Sequence, residues 1–177
     1  PWGAWASPRL GQLTLAGLGL FLAVMAGLQA QPSLGYWRGS SYGQPGPLAT
    51  MVQSMAQTPQ PGFLSRWVAA FGALDQAHGF AVNLFAVTAL AAVGAAFLSG
   101  RRWLIRPGLI AFTALCLADW VLIQDLGFLG GVGTDPNSMI PFILLAWAGY
   151  LALRRPAAPA RSAAGPAMVQ VASAGAG

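Results

Sequence analysis

Apolar and polar positions alternate along this chain on the scale of whole segments rather than single residues. From Gln12 to Ala30 nineteen residues pass without a charge. That is close to the ~20 needed to cross a hydrocarbon layer at ~1.5 Å per helical residue. A signal peptide would also be apolar here. However, Leu28 stands where a small residue would be wanted if cleavage followed Ala30, so the reading is a retained helix. A second apolar run extends from Gly79 to Gly100 and is closed by Arg101-Arg102. A third runs from Trp103 to Gln124, with Pro107 near its start, and a fourth from about Pro136 to Leu153, before Arg154-Arg155-Pro156.

Residues 31–76 differ from all of these. Prolines and glycines interrupt Gln31 to Gly46 and predict irregular loop. Leu48, Met51, Val52 and Met55 then recur at helical spacing. After Pro59 and Pro61, so do Phe63, Leu64, Trp67, Val68, Phe71 and Leu74. Neither segment is long enough to span, so both are expected to lie at the membrane surface or over the bundle mouth. The pattern predicts an all-α integral membrane four-helix bundle with amphipathic helices in a long outer loop. Its parts are a cytoplasmic lead (1–11), a four-span membrane domain (12–153) and a disordered tail (154–177). No internal repeat is visible.

Composition supports that class. Of 177 residues, 56% are hydrophobic and 7% charged, against about 25% charged in an ordinary soluble domain. Lysine and glutamate are absent, so all nine positive charges are arginines. A net charge of +5 would suggest nucleic acid in a soluble protein, but these arginines sit beside apolar runs, where topology explains them without a nucleic-acid partner. Seven of the nine (Arg9, Arg101, Arg102, Arg106, Arg154, Arg155 and Arg161) fall on one side of the four expected spans; Arg38 and Arg66 fall on the other. The positive-inside rule then puts both termini in the cytoplasm of a multi-pass plasma-membrane protein. The chain opens at Pro1 rather than methionine, which points to a longer native N-terminus.

Candidate chemistry is sparse. Three of the four acidic residues, Asp119, Asp125 and Asp135, lie between Leu115 and Met139. A carboxylate inside a membrane helix costs roughly 2.5–3.5 kcal/mol on insertion scales, so Asp119 is expected to face the bundle and bond Asn83, His78 or a loop amide. Its functional reading is a proton-relay or quinone-side carboxylate. The structural reading, a hydrogen bond that fixes helix register, is favoured. Gln124 and Asp125 complete this expected polar focus, with Asp125 at the water interface. Asp135 followed by Pro136, with Ser138 nearby, reads as a helix cap.

His78 is the single histidine and Cys116 the single cysteine. One histidine beside Asp75 is too thin a ligand set for zinc, and bis-histidine haem is excluded. Cys116 rules out an intramolecular disulfide and reads as packing. Asp75 with Arg66 reads as polar-face charge. Phosphate-binding loops, nucleophile elbows, CxxC pairs and HExxH motifs are absent.

Leu28-Gln-Ala-Gln-Pro32, ahead of a long outer loop and three further spans, is similar to the DoxX/DoxD-like four-helix membrane proteins, particularly uncharacterised actinobacterial members. Ala56-Gln-Thr-Pro-Gln-Pro61, Asp75-Gln-Ala-His-Gly-Phe-Ala-Val-Asn-Leu84 and Asp119-Trp-Val-Leu-Ile-Gln-Asp125 resemble theirs too. The resemblance covers most of residues 12–153. It implies a membrane subunit linked to quinone or thiol redox chemistry and acting with other polypeptides. The expectation is therefore an accessory redox subunit without its own catalytic centre, in the bilayer with a protein partner or as a homo-oligomer. The rivals are a small transporter or channel-like protein using Asp119, and a scaffold docking a partner through its outer loop.

Overall fold

Residues 8–38, 45–124, 126 and 138–154 are described by the computed structural model, and these residues are helical with no strand among them. Helix α1 spans Pro8–Ala30, α2 Pro47–Ala56, α3 Gly62–Leu98, α4 Arg102–Leu122 and α5 Met139–Arg154; a 3-10 turn occupies Pro32–Leu34. α1, α3 and α4 are each long and apolar enough to cross a membrane, and α5 is a shorter apolar helix. This is a membrane-embedded, all-helical chain.

The expected boundaries shift for physical reasons. α1 begins at Pro8 rather than Gln12, because proline fits a first helical position and Arg9 can carry its charge out to water from a helix end. α4 ends at Leu122, and Pro107 lies inside it, one turn deeper than a free first turn. The second surface segment and the second span are one helix. α3 runs through both, and only His78 leaves helical angles (φ −130°, ψ 32°). Asp75, Gln76 and His78 are polar but do not break helices as proline or glycine does, so the backbone ladder continues and bends instead of stopping.

α1 packs against α3 and α5, and α4 packs against the same two helices. Their shared core holds Leu15, Leu18 and Leu22 of α1, Val93 and Phe97 of α3, Ile105, Leu109, Phe112 and Cys116 of α4, and Ala146 of α5. The Phe97 and Phe112 rings meet edge to face with centroids 5.7 Å apart. Many large apolar side chains point away from this core, among them Leu13, Leu20, Phe85, Ile110 and Leu144, as expected where lipid is the solvent.

Small residues set the helix approach. A Cβ built on Gly19 would lie 2.8 Å from the Gly94 carbonyl oxygen, and one on Gly11 would lie 2.5 Å from the Gly149 carbonyl oxygen. These two glycine pairs bring α1 into backbone contact with α3 and α5, the close packing that drives helix association in lipid.

A second, smaller core sits at one end. Val52 and Met55 of α2 bury against Leu64 and Val68 of α3, and Val121 and Leu126 pack on them from the end of α4. Both expected amphipathic segments thus form one cap over the bundle mouth. Met51, one of the four apolar positions at helical spacing, is exposed instead.

Candidate functional site

The polar residues cluster where the cap meets the spans. Gln29 lies in the last turn of α1, and Asn83 lies a little over one turn beyond the α3 bend. The Gln29 Nε2 amide donates to Asn83 Oδ1 at 2.8 Å, and Asn83 Nδ2 donates to the Gln29 carbonyl at 3.3 Å. Asn83 is only 3% exposed, so both ends of its amide have partners where water does not reach. Close by, Trp37 Nε1 donates to the Ala30 carbonyl at 2.9 Å, and its ring packs on Phe80 at 5.3 Å. The indole thereby satisfies a carbonyl left free at the end of α1 and ties the following loop to α3.

Of the expected partners of Asp119, neither Asn83 nor His78 bonds its side chain, and an amide of the loop over 127–137 lies outside the described residues. Asn83 is committed to Gln29, and His78 is exposed at the bend. Asp119 lies in the last turn of α4, half-buried. Its backbone carbonyl accepts from the amides of Ile123 and Gln124 at 2.8 and 2.9 Å. Among the described residues its side chain makes no hydrogen bond. A helical bend aims His78 outward, and a straight spacing argument does not capture that.

Gln124 reaches in another direction. Its Nε2 donates to Ser138 Oγ at 2.9 Å, linking the end of α4 to the start of α5. Among the described residues its buried Oε1 has no partner. Ser138 stands immediately before α5, and its carbonyl accepts the Phe142 amide at 3.2 Å. Asp125 and Asp135 lie outside the described residues, as do the expected helix start at Pro136 and the tail beyond Arg154.

Asp75 departs furthest from its sequence reading. It is 3% exposed, on the face of α3 that meets α2, rather than on a solvated face with Arg66. Burial pushes its carboxyl above the usual carboxylate range, and a hydrogen bond from the Ala49 backbone offsets part of that rise. One residue on, Gln76 Oε1 accepts from Gln53 Nε2 at 2.7 Å. Gly72 lies against Val52 and Gln53, so the two cap helices approach closely and the carboxyl is shut between them.

No protein-family model, curated protein or solved structure matches this chain.

Among the described residues no three His, Cys, Asp or Glu side chains come together as a metal-ligand group. Cys116 is buried in the main core. Gln29 and the burial of Asp75 are what the sequence reading missed. Gln29 carried a signal, an amide inside the last turn of an otherwise apolar span. The burial of Asp75 depends on how α2 folds back, and no local pattern encodes that.

Proposed function

We propose that this chain is a four-span accessory subunit of a quinone- or thiol-linked membrane redox system, with both termini cytoplasmic. The folded cap is the observation that carries this reading. α2 and the first part of α3 have their own core, joined to the end of α4 by Val121 and Leu126. The cap also turns Phe63, Trp67 and Leu74 outward. Phe63 and Trp67 pack edge to face at 5.8 Å, a paired aromatic surface of the kind found at interfaces between protein, lipid headgroup and water. A partner polypeptide would dock there, and the bundle below would hold it at the membrane. The redox assignment itself rests on the sequence resemblance.

Native mass spectrometry of the complex extracted in mild detergent tests this. A second polypeptide or a retained quinone is the expected result. A bare monomer or homo-oligomer carrying only lipid would sink the accessory-subunit reading.

The half-buried Asp119 carboxylate, without a hydrogen-bond partner among the described residues, favours a second reading as the polar site of a small transporter. Asp119→Asn keeps the shape and removes the charge. Under the transport reading a proton-flux assay in proteoliposomes loses most of its signal while the melting temperature holds. Under the accessory reading partner retention is unchanged.

A further inference from the structure

We propose that the cleft between α4 and α5, at the arginine-bearing end of the bundle, binds the phosphate headgroup of an anionic phospholipid. The cleft has a volume of about 350 Å³ and is lined by Arg106, Leu109, Ile110, Trp147, Tyr150 and Arg154. That volume lies within the range of small-molecule sites, ~300–1,000 Å³. Its lining is graded along the membrane normal. On α4, Arg106 is followed at helical spacing by Leu109 and Ile110. On α5, Arg154 is preceded by Tyr150 and Trp147, seven residues deeper, or ~10 Å at 1.5 Å per residue. Guanidinium groups therefore stand at the mouth and apolar surface stands below, matching a phosphate with its acyl chains.

Several contacts hold this lining in place. Trp147 Nε1 donates to Thr113 Oγ1 of α4 at 3.2 Å, fixing the indole across the two helices. Trp147 and Tyr150 pack edge to face at 6.2 Å, and the Arg154 guanidinium sits 5.9 Å from the Tyr150 ring centroid. Arg102, at the same end, is occupied: its Nη2 donates to the Leu153 carbonyl at 2.7 Å. Among the described residues the acidic side chains are Asp75 in the cap and Asp119 in the far turn of α4, so neither Arg106 nor Arg154 has an acidic partner among them. Two guanidiniums beside a lipid-facing apolar slot suit the bidentate geometry of phosphate oxygens. Basic pockets between membrane helices take anionic headgroups by this chemistry. The assignment needs only that the chain is embedded in a bilayer and stands apart from the redox reading.

The full chain, purified in mild detergent, is titrated with phosphatidylglycerol or with phosphatidylcholine of the same acyl chains, and bound lipid is counted by native mass spectrometry. Wild type is expected to prefer phosphatidylglycerol at least tenfold. Arg106→Gln with Arg154→Gln is expected to lose that preference, at about fivefold per charge. Arg101→Gln, at the same end but outside the cleft, should retain it. If the double variant melts below wild type without lipid, the single variants carry the test, each losing about fivefold. Equal binding of the two lipids would overturn the proposal, as would an equal loss from Arg101→Gln. Displacement of the lipid by inorganic phosphate at matching concentration would also overturn it, by making the cleft a site for soluble anions.

Discussion

Asp75 and Asn83 are the two fully buried polar side chains among the described residues, each 3% exposed, and their environments differ in consequence. Asn83 is neutral and bonded at both ends of its amide, so it favours one register of α1 against α3 at every pH. Asp75 is ionisable and shut between α2 and α3, with its carboxyl pushed upward by burial. In the folded cap it holds its proton more tightly than in the unfolded chain, where the ordinary value is 3.8. Its contribution to stability is therefore complete below that unfolded value and is lost as pH rises through the raised folded value. The protection factors of the α2 amides, taken relative to the intrinsic exchange rate at each pH, should be higher at pH 4 than at pH 7. Asp75→Asn should flatten this dependence of the protection factors and raise protection at pH 7. An unchanged pH profile in the variant would show that the carboxyl is not the responsible group.

Helix-scale behaviour depends on where α1 touches its neighbours. Gly17 and Gly19 are two residues apart in α1 and have opposite surroundings. A Cβ on Gly17 meets nothing within 4 Å, whereas one on Gly19 meets the Gly94 carbonyl oxygen at 2.8 Å and Leu98 Cγ at 2.9 Å. Gly19→Ala must push α1 away from α3 and should destabilise the bundle by about 1–3 kcal/mol. Gly17→Ala adds helix propensity in open space and should be neutral or stabilising by about 0.5–1 kcal/mol. Unfolding of both variants in mixed detergent checks the contrast. Equal losses would mean that α1 packs with a different face. This face is hard to read beforehand because α1 is apolar all round. Hydrophobic periodicity marks a buried stripe only when the opposite face meets water. In a bilayer small residues mark it instead: Gly11, Gly19 and Ala26 share the stripe with Leu15, Leu18 and Leu22.

Taken as a whole, the molecule is polarised. The cap, with Arg66 and Asp75, lies at one end, and Arg101, Arg102, Arg106 and Arg154 gather at the other. With this distribution a reporter fused in the α3–α4 turn, beside Arg101, should read cytoplasmic. Replacing Arg101, Arg102 and Arg106 together by glutamine should shift a measurable share of molecules to the opposite orientation. A reporter that reads external in the unaltered chain would overturn the assigned orientation.

The sequence by itself determined the all-helical class, three of the membrane-length runs and the helical spacing of both cap segments. Each depends on composition or near-neighbour periodicity. It also placed Cys116 among packing residues, since leucine and alanine flank it directly on both sides in the chain. Tertiary structure alone decided which polar groups meet. Asn83 could have bonded Asp119, His78 or Gln29, and the bend at His78 together with the glycine-closed approach of α1 selected Gln29. Asp75 looked solvated because it follows Leu74 on a mixed helix face, and it is buried because α2 folds back over that face. The facing of Arg106 and Arg154 across one cleft likewise follows from α4 packing beside α5. Such pairings join residues tens of positions apart, where local propensity has no influence and the geometry of packed helices decides.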